Sequence, residues 1–269
     1  MIIPVIVGPT GSGKTGVSIA VAKDIDGEII SADSRTVYKG MDIGTAKPSV
    51  GERDGVPHWG FDLVEPGERF TVADWKEYAE ERIRDIKARD KTPMIVGGTG
   101  LYVDALVYDY KFEVSGKNYD KSRGECIKNL NGRVGSLAQD DIEKYPDRQK
   151  ICKEYKIFGI EWGSAELKNR LYLRAEQMFN DELYVEVERL VKKYGWGTQA
   201  MKSDVYQFAW RYMQGEISRD EAIRLNAIDD WHLAKRQITW FKRNKNILWL
   251  PLENVKEIVI KCIQNEQRK

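Results

Sequence analysis

The residues best suited to chemistry form a glycine-rich loop near the start of the chain. Residues 8–15 match the pattern GxxxxGK[ST], directly after an apolar run and directly before a helical pattern. Glycines let consecutive backbone N–H groups turn toward an anion, and the N-terminus of the helix adds a partial positive charge. We therefore predict that this loop binds a polyphosphate. Its residues are Gly8, Pro9, Thr10, Gly11, Ser12, Gly13, Lys14 and Thr15.

Two side chains of this loop have separate tasks in that prediction. Lys14 brings positive charge to the terminal phosphates, and the Thr15 hydroxyl is suited to hold a magnesium ion. The predicted cofactor is therefore Mg²⁺, with Thr15 as its protein ligand. The pattern does not identify the polyphosphate, and a glycine turn that binds no ligand is the alternative.

Asp33 is the acidic residue that ends an apolar run in an obvious position. Most loops of this kind work with an acid that follows an apolar strand, but the run ending at Val96 continues into glycines at 97, 98 and 100. Asp33 instead follows residues 28–32. Because ligands collect at the carboxyl ends of strands in an open α/β sheet, we expect Asp33 beside the phosphates, available for metal or proton chemistry. A plain loop aspartate is the alternative.

Short apolar runs alternate with helical patterns along the chain, which favours a parallel sheet covered by helices. We therefore predict an α/β fold with a P-loop NTPase-like core, in which helices flank a mostly parallel sheet. Capping boxes at Thr71-x-x-Asp74 and Ser218-x-x-Glu221 predict where two helices begin. The predicted strands are Ile2–Val7, Glu28–Ala32, Pro93–Val96, Lys156–Trp162 and Ile247–Leu250, and the predicted helices are Lys14–Asp24, Thr71–Asp90, Glu166–Tyr194 and Ser218–Arg243.

A polar stretch from Lys111 to Pro146 interrupts this alternation and shows little periodicity. We interpret it as a small helical insertion, either a mobile subdomain or a lid, and an ordinary surface excursion is the alternative. The predicted organisation is a core formed by residues 1–110 and 150–269, with a helical C-terminal part, and an insertion subdomain at residues 111–149.

Composition excludes several classes of protein. With 42% apolar residues among 269, the chain can form a core, so global disorder is excluded. Apolar runs stay below the roughly 18 residues of a membrane helix, and the first residues predict a strand rather than a cleaved signal. Three cysteines without a CxxC pair suit the cytoplasm. The net charge is +1, but residues 231–269 hold nine Lys/Arg against three Glu; a phosphate-backbone contact and a solvated helix end explain this equally well.

Five further blocks, in order along the chain, are idiosyncratic. They are residues 33–48, Val56-Pro57-His58 with Asp62, residues 97–102 (GGTGLY), Arg170 and Arg174 with Met178, and residues 233–240 (LAKRQITW). Together with the glycine-rich loop, they closely resemble the tRNA dimethylallyltransferases (tRNA isopentenyltransferases) of bacterial type. The resemblance covers most of the chain outside residues 111–147.

This resemblance implies transfer of a dimethylallyl group from dimethylallyl diphosphate to N6 of the adenosine just 3′ of the anticodon of a tRNA. It implies that Asp33 is the base, that Thr10 lies beside the reacting centre, and that Lys14, Thr15 and Arg174 neutralise the departing diphosphate. Arg170 precedes Arg174 by four residues, so both fall on one helical face. An ion-pair ladder of these arginines with nearby glutamates is the alternative.

The resemblance also implies a tRNA anticodon stem-loop as partner, with no membrane, and we expect a monomer. An anticodon loop is single-stranded, so its bases are accessible to a protein. For Trp240 we expect core packing, because helical aromatic residues usually pack inward, and base stacking is the alternative. The implied tRNA contacts are Asp33, Ser34, Arg35, Thr36, Thr99, Gln149, Lys150, Ile151, Cys152 and Lys153. Lys235 and Arg236 lie in the basic C-terminal third of the chain, and we expect them to contact tRNA phosphates.

Two blocks depart from the family pattern. Residues 146–154 carry lysines at 150 and 153 where the family resembles NDPxRxxRALE, and residues 202–208 lack the glycine and arginines of RxxGYRQ. Lysine keeps the charge but loses the bidentate fork that arginine offers phosphates. These departures support one alternative, a tRNA-binding relative with little turnover. A second alternative is a P-loop nucleotide or small-molecule kinase, and the missing acid after Val96 counts against it. A variant of the favoured chemistry is transfer to free adenosine phosphates.

Overall fold

Six parallel strands form the centre of the protein. The structure, a computed structural model, describes residues 1–112 and 151–267. The strands are β1 Ile3–Val7, β2 Gly27–Ser31, β3 His58–Trp59, β4 Thr92–Gly97, β5 Tyr155–Glu161 and β6 Ile247–Pro251. They lie in the order β3-β2-β4-β1-β5-β6, and every neighbouring pair is parallel. The predicted α/β fold with a parallel sheet is confirmed.

Helices cover both faces of this sheet. They are α1 Lys14–Asp24, α2 Val72–Ala88, α3 Gly100–Val107, α4 Ser164–Met178, α5 Asp181–Tyr194, α6 Asp204–Met213, α7 Arg219–Lys242 and α8 Leu252–Gln267. The side chains of β1 alternate between two cores: Ile3, Val5 and Val7 pack with α2 and α3, while Ile6 packs with α1 and α8. This alternation follows from the two-residue period of a strand. Within the described residues, no helix is both long and apolar enough to span a membrane.

The position of β4 sets the distance between the two loops of the functional site. β4 lies between β1 and β2 and pairs with both of them. Neighbouring strands are about 4.8 Å apart, so the loops that follow β1 and β2 face each other across roughly 10 Å. β4 ends at Gly97, and Gly98 follows it; a β-carbon at Gly98 would collide with the side-chain amide of Gln237, so this glycine leaves room for that side chain beside the strand end.

One predicted helix was wrong, because residues 166–194 form two helices. The chain leaves α4 at Phe179, and Asn180 then caps α5 by accepting the backbone N–H of Leu183 at 3.1 Å. Asn is a strong N-cap residue because its side chain satisfies a free amide of the first turn. β3, α3, α6 and α8 were not predicted from the sequence.

Both predicted caps hold a helix N-terminus. Thr71 accepts the backbone N–H of Asp74 at 3.2 Å, and Asp74 accepts the backbone N–H of Thr71 at 2.8 Å, which completes a capping box on α2. Ser218 accepts the backbone N–H of Glu221 at 3.1 Å and caps α7.

Helices α4 to α7 form a second core beside the sheet, and a buried carboxylate joins it to the loop after β2. Glu186 of α5 is 5% exposed. It accepts the backbone N–H groups of Asp42 and Ile43 at 2.9 Å each and of Gly44 at 3.0 Å. It also accepts the Tyr206 hydroxyl at 2.8 Å. A buried charge with this many donors is fully compensated and fixes residues 42–44.

We expect Glu186→Ala to lower the free energy of unfolding by about 3 kcal/mol, because several buried donors lose a charged acceptor. Urea denaturation followed by circular dichroism measures this change. Glu188→Ala is the matched control, since Glu188 is exposed on the same helix and should change stability by no more than about 0.5 kcal/mol. Equal stability of the two variants would contradict the anchoring role.

Candidate active site

Side-chain donors bind the backbone carbonyl groups of the glycine-rich loop. One of these donors is in the loop itself, and two come from residues distant in sequence. Lys14 Nζ donates to the carbonyls of Gly8 at 2.9 Å and Pro9 at 2.7 Å. Arg170 Nε donates to the Gly11 carbonyl, and the Trp162 indole N–H donates to the Ser12 carbonyl, both at 3.0 Å. The Arg170 guanidinium also stacks over Trp162, 4.5 Å from the ring centre. These bonds fix four carbonyl groups of the loop, at Gly8, Pro9, Gly11 and Ser12.

The Ser12 side chain also indicates that the loop binds an anion. Its side chain is buried, and among the described residues its hydroxyl has no hydrogen-bond partner. Buried polar groups are normally paired, so an unpaired hydroxyl inside a phosphate-binding loop suggests an absent ligand.

Thr10 is fixed at both its main chain and its side chain. Its hydroxyl oxygen accepts Arg174 Nη1 at 2.7 Å, and its backbone N–H donates to Gln237 Oε1 at 2.7 Å. Since the hydroxyl accepts from the arginine, its own hydrogen stays available to donate to a phosphate oxygen.

Arg174 also affects a carboxyl group on α7. Burial raises the pKa of the Asp230 carboxyl, and the positive charge of Arg174 opposes this shift.

Asp33 lies at the carboxyl end of β2, across the gap from the glycine-rich loop. Its carboxylate accepts the backbone N–H of Arg35 at 2.8 Å, and this is its one hydrogen bond within the described residues. The loop is fastened to β4, because Thr99 Oγ1 accepts the Ser34 backbone N–H at 3.0 Å and the Thr99 N–H donates to the Ala32 carbonyl at 3.1 Å. Asp33 therefore lies in a fastened loop, one of its carboxylate oxygens has no hydrogen bond within the described residues, and its charge acts on Lys14 of the glycine-rich loop.

The charges of the two loops interact across this gap. Desolvation of the Lys14 ammonium lowers its pKa from 10.5 to about 8. The negative charge of Asp33 opposes this shift, and the positive charge of Arg174 adds to it. Two cations and one carboxylate thus surround the space above β4, which suits an anionic leaving group beside a proton acceptor.

Because only the ammonium form of Lys14 attracts phosphate, we expect affinity for a diphosphate ester to fall as the pH rises through about 8. Calorimetric titration between pH 7 and 9.5 measures this. The control is Lys14→Arg, whose charge does not titrate in this range. The ligand titrates equally in both experiments, so identical pH slopes for the two proteins would contradict the lowered pKa.

Comparison with known proteins identifies the family. A model of the family described as IPP transferase matches residues 36–136 and 135–244, and a model described as isopentenyl transferase matches residues 1–58. The chain belongs to the IPP transferase family. A relative from Desulforudis audaxviator named tRNA dimethylallyltransferase is 37% identical over 93% of this chain and 91% of its own length.

Solved structures of the family share the fold. A tRNA isopentenylpyrophosphate transferase from Staphylococcus epidermidis matches with a TM-score of 0.79 at 32% identity, covering 98% of this chain and 99% of its own. A transferase of the same description from Bacillus halodurans matches with a TM-score of 0.79 at 28% identity, covering 99% of this chain and 98% of its own. The predicted family is confirmed.

Within this family member, several residues predicted to contact tRNA lie together. Ser34, Arg35 and Thr36 surround Asp33, and Thr99 is bonded to Ser34. Lys235 and Arg236 are exposed on α7, directly before Gln237.

Other predicted contacts lie elsewhere. Ile151, Cys152 and Lys153 precede β5, whose first residue pairs with Ile3 at the start of β1. They therefore lie at the amino end of the sheet, roughly 16 Å along β1 from the glycine-rich loop. The structure does not bring them together with Asp33. Gln149, Lys150 and the predicted insertion from residue 113 onward lie outside the described residues.

The contacts of Arg170, Arg174 and Trp240 distinguish between the roles that the sequence left open. Arg170 and Arg174 both donate to the glycine-rich loop rather than forming a ladder with Glu166 and Glu176. The Trp240 indole donates to Asp104 at 3.0 Å and its ring packs against the sheet core, which favours packing over base stacking. At the departing block 202–208, Tyr206 is buried against Glu186.

Gln237 and Trp162 were not predicted as parts of the site. Both bind the glycine-rich loop although they are distant from it in sequence: Gln237 accepts the Thr10 backbone N–H, and Trp162 donates to the Ser12 carbonyl. Gln237 lies in the LAKRQITW block, and the resemblance of that block to the family could have identified it as a site residue. Trp162 carried no comparable signal beyond its place at the end of a predicted strand.

Proposed function

We propose that the protein transfers a dimethylallyl group from dimethylallyl diphosphate to N6 of the adenosine just 3′ of the anticodon in tRNA. The observation that carries this proposal is the pairing of a phosphate-binding loop with a free carboxylate at the ends of β1 and β2, in a chain of this family. The diphosphate occupies the loop, and the adenine amine approaches between the loop and Asp33.

The reaction balances with the groups present. The N6 lone pair forms a bond to the first carbon of the dimethylallyl group, while the bond from that carbon to the diphosphate oxygen breaks. The bonding electrons leave with diphosphate, and the N6 proton passes to Asp33. Adenine N6 is a weak nucleophile because its lone pair is delocalised into the ring, so a base within reach contributes about 10²–10⁴-fold.

Three groups stabilise the leaving diphosphate. Lys14 supplies a charge, Arg174 supplies a second charge beside Thr10, and the Thr10 hydroxyl is free to donate. Such preorganised donors are often the largest contribution to a rate. No phosphoryl group is transferred, so the absence of an acidic residue in the loop after β4 is consistent with this chemistry.

The donor set also fits Mg²⁺. This ion binds through one or two protein oxygens together with phosphate oxygens and water, and the described residues offer no cluster of three or more acidic, histidine or cysteine ligands. Thr15 is exposed at the start of α1 and would hold the ion against the diphosphate. The bound ion supplies further neutralisation of the phosphate charge.

The decisive experiment incubates the protein with isotopically labelled dimethylallyl diphosphate, Mg²⁺ and one of three acceptors. These are tRNA with adenosine 3′ of the anticodon, the same tRNA with guanosine there, and AMP. We expect prenylated adenosine only from the first, detected by mass analysis of digested nucleosides. Label in AMP alone would move the function to free nucleotides.

Two further outcomes would overturn the proposal. Phosphoryl transfer from labelled ATP, with no prenyl transfer, would identify a kinase. Binding of tRNA in a gel-shift assay, with no label in any acceptor, would identify an RNA-binding protein without turnover.

A further inference from the structure

The side-chain amide of Gln237 joins two loops of the site. Its oxygen accepts the backbone N–H of Thr10 at 2.7 Å, and its nitrogen donates to the Gly98 carbonyl at 3.0 Å. Thr10 belongs to the loop after β1 and Gly98 to the loop after β4. One planar amide thus connects the loop after β1 with the loop after β4, the strand that lies between the phosphate site and the strand leading to Asp33.

The helix that carries Gln237 packs tightly against the loop after β4 and the start of α3. A β-carbon at Gly98 would collide with the Gln237 amide, and one at Gly100 would collide with the Trp240 ring. Gln237 and Trp240 are three residues apart and therefore share one face of α7. The glycines of the GGTG block allow this face to reach the site.

We propose that Gln237 is a positioning residue that aligns Thr10 for the departure of diphosphate. The inference rests on the proposed function. Thr10 has two anchors: Gln237 fixes its main chain, while Arg174 binds its hydroxyl. Without Gln237, the Thr10 peptide is free to rotate, and the hydroxyl leaves the position from which it donates to the leaving oxygen.

The contacts of Gln237 favour this role over a purely structural one. Both of its amide bonds go to loops of the site rather than to the hydrophobic core. The side chain is half-buried and lies at the same end of the sheet as Asp33 and the glycine-rich loop. Removing it should therefore disturb chemistry more than folding.

Gln237→Met keeps the approximate volume and loses both hydrogen bonds. Misplacement of a catalytic group by about 1 Å can cost about 10²-fold, so we expect kcat to fall by roughly 10–100-fold with little change in KM for tRNA. The control is Gln264→Met, because Gln264 is exposed on α8. A rise in KM at unchanged kcat, or no loss of activity, would overturn the proposal.

A double-mutant cycle tests whether Gln237 acts through Thr10. In a Thr10→Val background the hydroxyl is already absent, so Gln237→Met should have little further effect on kcat. A full-sized further loss in that background would show that Gln237 acts on another group and would overturn the proposal.

A second variant covers the case in which Gln237→Met fails to fold. Gly98→Ala should displace the amide from the other side and reproduce the loss of kcat, and it should have no further effect when combined with Gln237→Ala, which removes the clash. Normal turnover in Gly98→Ala would contradict the proposal.

Hydrogen exchange separates this inference from the proposed function. The Thr10 amide should exchange faster in Gln237→Met than in the wild type, whether or not the protein transfers prenyl groups. If the wild type transfers none, the proposed function fails while this measurement still tests the contact. Unchanged exchange at Thr10 would overturn the positioning role.

Discussion

Asp33→Asn should reduce the rate of prenyl transfer by about 10²–10⁴-fold. Asparagine keeps the shape of the side chain and its acceptor for the Arg35 backbone N–H, but it cannot take a proton from the adenine amine. Single-turnover measurements with excess enzyme isolate this chemical step from product release.

Binding of the diphosphate donor, measured at a pH well below 8, should stay nearly unchanged in this variant, because the phosphate contacts lie in the loop after β1 and Lys14 remains protonated there even without the charge of Asp33. Calorimetry with a diphosphate ester measures it. The matched control is Asp90→Asn, since Asp90 is exposed two residues before β4, at the opposite end of the sheet. Near-normal single-turnover rates in Asp33→Asn would remove Asp33 from the mechanism.

The ends of the central strands were accessible to sequence reasoning because local patterns determine them. The glycine-rich loop follows β1 as predicted, and α1 begins at Lys14 and ends at Asp24. The placement of Asp33 followed from a general property of parallel sheets, in which strand ends gather at one edge. After Val96, Gly98 leaves room for the Gln237 amide of α7, since a β-carbon at Gly98 would collide with it.

Other elements were inaccessible because their local signals are short or ambiguous. The two residues of β3 are too few to show alternation, and the eight residues of α3 span barely two turns. The break at Asn180 was hidden because charged residues continue with helical spacing on both sides of it. An Asn followed by two acids is nevertheless a usable N-cap signal.

Contacts across the chain account for the remaining misses. Gln237 meets a residue 227 positions away, and Glu186 meets residues more than 140 positions away. A glutamine on a helix and a glutamate on a charged helix both look like solvated positions. Their roles arise from the packing of α5 and α7 against loops of the sheet, which neither spacing nor composition specifies.

Arg174→Ala should lower turnover by about 10²–10³-fold, the usual cost of losing one preorganised donor to a developing negative charge. The arginine acts directly through its charge and also through its bond to the Thr10 hydroxyl. Arg174→Lys restores a charge but not the planar donor geometry, so we expect an intermediate rate.

The matched control for this prediction is Arg84→Ala, because Arg84 is exposed on α2. Loss of Arg174 also removes the charge that opposes the effect of burial on Asp230, so the pKa of Asp230 should rise further. Nuclear magnetic resonance of that carboxyl measures the change. If Arg174→Ala and Arg84→Ala transferred prenyl groups equally fast, charge stabilisation by Arg174 would be excluded, and Lys14 and Mg²⁺ would have to neutralise the leaving group without it.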